Sequence, residues 1–524
     1  MAVITFAAID IASYHVIMEI FQISKKQGLK SLDYLEKRIE LGKDTFVEGR
    51  ISNGMVDELC LILKDMKRIM KEYQVVDYRA CASSAIREAE NSQIVLGRIY
   101  QNTGIKVDVL SNSEQRFLGY KSVASTEAEF PNIITKGTAV LDMGGGSVQV
   151  SLFDKDMLIT TQNLMLGNFR VRERLSALEN SVLHYESLVE EFIRNEIISF
   201  KKVHLKDRKI QNLVLVGGFL SDIFTKTSES KKMFTKEEFL ELYQRVINSC
   251  PIELAMHLNI PLENAALLIP TVIIYQYFMK EFGAEIIWAP GTQLTDGIAY
   301  DYAEKIKMIK SAHNFDNDIV MAARTMGKRY GVSKAHVQSV MNIALTIYDS
   351  TKKIHGLSPR ERLLLECAVN LHDCGKFVSL TNTAECNYQI IMATEIIGLS
   401  HREREIIAQV VRLNTIPMES YETISKKADL NVNDYLIINK LTAILRLANG
   451  MDRSHLQKVQ QIRAVIKDDN LVINVTTNKD YTLEQGLLTG KIEFFENVFG
   501  IKTVLKVKKS DEKSIKASNT STRG

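Results

Sequence analysis

Two stretches of the chain share one pattern of apolar and polar positions. Residues 138–153 read TAVLDMGGGSVQVSLF: an apolar run ends in Asp142, Gly144, Gly145, Gly146 and Ser147 follow, and Val148, Val150 and Leu152 then alternate with polar side chains. This predicts strand, tight turn, strand. Residues 3–21, VITFAAIDIASYHVIMEIF, have the same form, with Asp10 falling on Asp142 and Ser13 near Gly145. Two copies of one hairpin predict a duplicated architecture whose two aspartates face each other across a cleft.

Around these hairpins, helical spacing of apolar residues marks 55–73, 182–200 and 236–254. Residues 77–90 predict a strand leading through Ser83 and Ser84 into a helix that carries Arg87, and 105–110 predict another strand. Residues 111–123 read as a loop entering a helix, 213–219 (LVLVGGF) as a buried strand ending in a double glycine, and 291–300 as a turn and helix. The apolar run 265–278 contains Pro270, is too short to span a bilayer, and predicts a buried helix. Residues 31–42 and 302–314 are polar and charged, the second segment reading as a linker. Helical periodicity dominates from 317 to 455, and strand-like alternation returns over 465–507 around one helix at 491–499. The tail, 510–524, is poor in apolar residues and is predicted to be disordered.

A chain of 524 residues exceeds what one core can fill, so several domains are expected. With 45% apolar and 25% charged residues it has the composition of an ordinary globular protein. A formal net charge of +3 creates no global field for nucleic acid. Six cysteines without a C-x-x-C pair point to reduced thiols, and the first strand begins almost at Met1 with no leader before it. Both features lead to the expectation of a cytoplasmic protein with no membrane partner.

Consecutive glycines let the backbone take positive φ and bring N–H groups close to a guest, forming a concave anion site. Phosphate is the natural guest, and Asp142 beside it can hold Mg²⁺. A glycine-rich hairpin with a solvated aspartate is the plainer reading. Ser84 and Arg87 at a helix start suit an anion, or equally an N-cap and a surface arginine. In the helical part, His336, His372 and Asp373 resemble the inward-facing ligands of a divalent-metal site. Asn449 stands there where a closing aspartate would be expected, so a structural His–Asp hydrogen bond is the simpler account.

In order along the chain, AAID at 7–10, CASSAIREAEN at 81–91, LDMGGGSVQV at 141–150, LVGGF at 215–219 and NLHDCGK at 370–376 resemble the exopolyphosphatase and guanosine pentaphosphate phosphohydrolase family. The resemblance is to its longer form, with a helical HD-like domain and a C-terminal cap. It implies an α/β plus α protein: two ribonuclease-H-like domains of the actin-like ATPase superfamily at 1–124 and 125–301, an all-α HD-like domain at 312–456, and a small α/β cap at 457–509. It also implies hydrolysis of terminal phosphoanhydrides of polyphosphate or pppGpp with Mg²⁺, by a homodimer. Asp10 and Asp142 would then hold the metal, Gly144, Gly145, Gly146 and Ser147 would form the phosphate turn, and Ser13, Ser84 and Arg87 would face the substrate.

The catalytic set implied is Glu114, Gln115, Asp142 and Gln149, and it departs from the family's pattern. The usual pair of glutamates is Glu114–Gln115 here, the glutamate after the glycine turn is Gln149, and the first turn's Gly-Ser-Asn is Ala12–Ser13–Tyr14. An amide takes no proton near neutral pH, although it can position a water. Three outcomes follow: a hydrolase using Glu114, a slow one using the glutamines, or a regulatory protein that binds polyphosphate or a guanosine alarmone without turnover. A kinase-like ATPase shares the fold and would need an adenosine pocket.

Overall fold

Strands β1 (Val3–Ile11), β2 (His15–Ser24) and β3 (Gly28–Arg38) form an antiparallel meander, and β4 (Asp77–Ala82) and β5 (Val107–Val109) extend it in parallel to give the order β3-β2-β1-β4-β5. The second sheet repeats the plan. Strands β6 (Thr138–Met143), β7 (Val148–Asp154) and β8 (Met157–Leu164) make the meander, β9 (Asn212–Val216) lies parallel to β6, and β10 (Met233–Thr235) and β11 (Ile286–Trp288) finish the order β10-β11-β9-β6-β7-β8. Asp10 pairs with Ile17 of β2 and Cys81 of β4, while Asp142 pairs with Gln149 of β7 and Val216 of β9. The duplicated pattern in the chain is thus a duplicated topology, with both aspartates on equivalent central strands.

This computed structural model describes residues 3–126, 130–155, 157–179, 184–217, 232–310 and 313–509. Gly218 and Phe219 of the double-glycine stretch, and the tail 510–524, lie outside them. The chain divides into two compact units, Met1–Phe315 and Asp316–Gly524.

In the first unit, the helix Asn53–Glu72 is capped by Ser52, whose side chain accepts from Met55 N. It buries Val56, Leu59, Leu63 and Met66 against Ile9, Ile11, Val16 and Met18 of the first sheet. The second sheet buries Leu141, Val150 and Leu215 under the helices Tyr185–Phe200 and Leu262–Phe282. The latter contains the apolar run and Pro270.

Three segments differ from the sequence reading. Residues 31–42, read only as polar and charged and assigned no element, largely belong to β3, an edge strand that is exposed along most of its length. Its ladder to β2 satisfies the backbone, so no apolar face is needed to hold it. Residues 236–254 are two helices, Lys236–Ile247 and Pro251–Leu258, because Pro251 starts a new helix at its first turn. The presumed linker at 302–314 begins inside the helix Leu294–Lys305.

That last helix does not stay with the second sheet. Ile298, Ala299 and Ala303 pack with Phe6, Ala8 and Phe21 of the first and with Leu118 of the helix Asn112–Thr126. Its approach to the helix Asn112–Thr126 is so close that a Cβ on Gly297 would lie 2.0 Å from Leu118 O. Gly297→Ala is therefore expected to destabilise the protein by about 3 kcal/mol. Gly97→Ala, with nothing within 4 Å, should leave the denaturant midpoint unchanged or slightly higher. Urea unfolding curves of the two variants check the contrast.

Among the described residues of the second unit the elements up to Gly450 are helices, and they are followed by the sheet β12 (Gln461–Lys467), β13 (Asn470–Thr477) and β14 (Lys502–Lys509) in sequence order. The helices Thr482–Leu487 and Thr489–Phe499 connect β13 to β14. All six cysteines are free, and among the described residues no helix is long and apolar enough to cross a membrane.

Candidate functional site

The two hairpin corners of the first unit line one cavity of about 240 Å³. Asp10, Ser13, Ser83, Ser84 and Gln115 come from the first half, and Asp142, Gly144, Gly145 and Ser147 from the second. Asp10 ends β1 and is 8% exposed, and its Oδ1 has no hydrogen-bond partner. Burial, reinforced by the charge of Asp142, pushes the Asp10 carboxyl up to about 7. Burial pushes Asp142 up to about 7 as well, against the pull of Arg116. Two carboxylates are thus held close together in a dry place with one oxygen unmatched, which is the donor chemistry of a hard-cation site. Space for a guest is preserved by Gly119, where a Cβ would stand 3.0 Å from Asp142 Oδ2.

The glycine turn is built differently from the expectation. None of Gly144, Gly145 and Gly146 takes a positive φ. Glycine is required instead by close approach: a Cβ on Gly145 would lie 3.2 Å from Ser13 Cβ, and one on Gly146 would lie 2.9 Å from Ser84 Oγ. The turn is closed by Gly144 N donating to Ser147 O at 2.9 Å. Arg170 occupies its carbonyls, with its backbone N donating to Gly145 O at 2.9 Å and its Nε to Gly146 O at 2.7 Å. The N–H groups of the turn are then what it offers an anion. Beneath it, Gly167 comes within 2.3 Å of Ser147 N when given a Cβ, so this position also tolerates no side chain.

Ser13 Oγ and Ser84 Oγ lie 3.1 Å apart and face the turn, which places two hydroxyls opposite the glycines. Arg87 does not line the cavity. Its guanidinium donates to Leu110 O at 2.7 Å and Asn112 Oδ1 at 2.5 Å, holding the start of the helix Asn112–Thr126. Glu114 is also turned away from the cavity, in a capping arrangement where Ser111 N (3.0 Å) and Ser111 Oγ (2.7 Å) donate to its Oε2. Gln115, the next residue, does line the cavity, with a buried Oε1 that has no partner. Gln149 is buried directly across the ladder from Asp142, again with Oε1 unpartnered, and lies outside the cavity lining.

Sequence reading passed over Arg116, Gly119, Asn168, Arg170 and Asn264. Arg116 is 2% exposed and counters the rise in the Asp142 pKa. The other four line or brace the cleft. The one available signal was Gly167 before Asn168 and Arg170, a lone glycine at a helix start.

In the second unit His336, His372 and Asp373 are buried together. His336 bonds to Asp452 Oδ2 through Nδ1 (2.8 Å), and its Nε2 faces Asn449 Oδ1 at 3.2 Å. The acid that meets His336 is therefore Asp452, three residues beyond Asn449, and His455 joins the cluster.

Comparison with known proteins gives a consistent neighbourhood. A model of the Ppx/GppA phosphatase family matches residues 20–306, and one of Ppx/GppA phosphatase, domain III, matches 320–493. The chain is similar to a guanosine-5'-triphosphate,3'-diphosphate pyrophosphatase of Photobacterium profundum, 20% identical over 422 residues, covering 78% of this chain and 80% of that protein. A bifunctional 3-dehydroquinate synthase/phosphatase of Fusobacterium nucleatum is 24% identical over 196 residues, 37% of this chain and 28% of its own. Among solved structures, an exopolyphosphatase from Cytophaga hutchinsonii has the same fold at a TM-score of 0.52 and 18% identity, covering 58% of this chain and all (100%) of that one.

Proposed function

The chain belongs to the Ppx/GppA phosphatase family, and from that premise we propose that its cleft hydrolyses terminal phosphoanhydride bonds of inorganic polyphosphate or pppGpp. The observation that carries the reading is the convergence of Asp10 and Asp142, with an unmatched Asp10 oxygen, opposite a glycine turn and a pair of serine hydroxyls.

Asp10 and Asp142 would hold Mg²⁺, which when bound neutralises charge on phosphate oxygens. The turn N–H groups, Ser13 and Ser84 bind the terminal phosphates and keep them in one orientation. Gln115 faces the cavity and orients the attacking water through its amide, without taking its proton. With Glu114 occupied at the helix cap, this chain supplies no second acidic side chain at that spot. Weak turnover is therefore expected, and binding without turnover is the second reading that this observation favours.

Phosphate release from long-chain polyphosphate and from pppGpp, with Mg²⁺ over pH 6 to 8, tests the proposal. Because both aspartates titrate near 7, protons compete with the cation, and the Mg²⁺ needed for half-maximal release should fall as pH rises through that value. A pH-independent Mg²⁺ requirement would remove the two carboxylates from the metal's side. If neither substrate releases phosphate but polyphosphate raises the melting temperature, the protein is a binding protein.

A further inference from the structure

The small sheet of the second unit leaves one face open. On its central strand β13, Leu471, Ile473 and Val475 are buried, while Val472 and Asn474 between them are half-buried. The ladder partners of Val472 and Asn474 on the edge strands β12 and β14 are exposed. Register groups this outer face into rows that cross all three strands. Lys467, Asn470 and Lys502 make the first, and Val465, Val472 and Val504 the second. Arg463, Asn474 and Lys506 make the third, and Lys508 stands beyond it beside Thr476.

Every charged side chain on these rows is positive: Arg463 and Lys467 on one edge strand, Lys502, Lys506 and Lys508 on the other. All are exposed, and none has an ion-pair partner among the described residues. Asp468 and Asp469 lie in the turn beyond the last row. Edge strands carry charge to block pairing with other sheets, but charges of both signs serve that purpose and avoid a one-signed field. In a chain whose net charge is only +3, this face is a local field, and its complement is a polyanion. A second copy of the same face is excluded, because like charges would meet.

Between the cations lies a surface that an inorganic chain has no use for. The valine row is open to solvent at both ends, with Val465 46% and Val504 39% exposed, and the amides of Asn470 and Asn474 flank it. Inorganic polyphosphate is charged at every link and gains nothing from aliphatic side chains. A nucleic acid strand carries phosphates, apolar base faces and hydrogen-bonding base edges, which match the cations, the valines and the amides in turn. We propose that this sheet face binds single-stranded nucleic acid, with phosphates against the cationic edge strands and bases over the valine row. No aromatic side chain stands on these rows, so stacking is weak and binding follows backbone charge rather than sequence. The cleft of the first unit takes no part in it.

The test uses the full chain and a fluorescent oligouridine of about 12 nucleotides, with binding read by anisotropy from about 50 to about 300 mM salt. A slope of log affinity on log salt of about −3 is expected, since each phosphate neutralised on a single strand contributes about −0.7. Lys506→Gln should weaken binding about fivefold near 0.1 M salt and bring the slope about 0.7 closer to zero. Arg463→Gln on the opposite edge should do the same, and both exposed positions tolerate the change without loss of melting temperature. Val472→Thr, which keeps the β-branched shape, should weaken binding about threefold with the slope unchanged. Oligothymidine of the same length separates the two sources: weaker binding than oligouridine assigns the face to RNA, and equal binding assigns it to single strands of either kind. If inorganic polyphosphate or phosphatidylserine vesicles bind this face and neither oligonucleotide does, the proposal is overturned. Oligonucleotide binding that none of the three substitutions changes, or no binding at about 50 mM salt, overturns it as well.

Discussion

Asp142→Asn is expected to cut phosphate release by about a thousandfold or more while raising the melting temperature at pH 8. A metal at a transferring phosphate supplies several kcal/mol, and about 1.4 kcal/mol corresponds to each decade of rate, so losing one of its two carboxylates costs about three decades. The stability change has the opposite sign. A carboxyl whose folded pKa lies above its ordinary value holds its proton in the folded state over a window where the unfolded chain has released it. For Asp10 and Asp142 that window runs from 3.8 to about 7. Their contribution to stability is present below it and is lost as pH rises through it. At pH 8 the wild-type protein therefore carries two destabilising charges, and the asparagine removes one together with its repulsion of the other. Only below 3.8, where the carboxyls are protonated in the folded and the unfolded chain alike, should the melting temperatures of the two proteins converge. Calorimetry across pH checks this, and a variant both inactive and destabilised at pH 8 would show that Asp142 serves the fold.

Gln115→Glu is expected to raise the rate of phosphate release by about 100-fold or more, with a new rise in rate as pH increases through the carboxylate's pKa. Proton transfer by a positioned base is worth about two to four decades, and the natural amide cannot supply it. The side chain already lines the cavity with its oxygen unpartnered, so the change adds a base where the water would be held. The companion variant Glu114→Gln should alter turnover little, because Glu114 Oε2 is spent on Ser111. It should instead lower stability by about 1 kcal/mol through the weakened cap. A large loss of turnover in Glu114→Gln would move the working group by one residue.

These two variants separate what could be read along the chain from what could not. Continuous apolar runs marked β1, β2 and β6, period-two alternation marked β7, and the glycine run marked the turn, because these signals are local. The same logic missed β3, whose stability comes from its ladder to β2 and whose side chains are mostly exposed. It also expected Arg87 at the anion and left Glu114 available as a base. Both side chains were instead taken up by the start of the helix Asn112–Thr126, through Leu110 O, Asn112 and Ser111. Side-chain chemistry can be inferred from residue type, but which hydrogen bond a side chain makes depends on neighbours that only folding brings near.

Local order and the presence of two like corners were therefore legible from residues 3–21 and 138–153 alone, since strand period and turn composition depend on near neighbours. Convergence was not legible. That Asp142 raises the pKa of Asp10, that Gly145 and Gly146 are glycine because Ser13 and Ser84 press against them, and that His372 has a lone pair without a partner are facts of tertiary packing. Each depends on atoms brought within a few ångströms by chain segments far apart in sequence. Desolvation, charge repulsion and steric exclusion act through that distance in space, and the linear order of residues does not specify it.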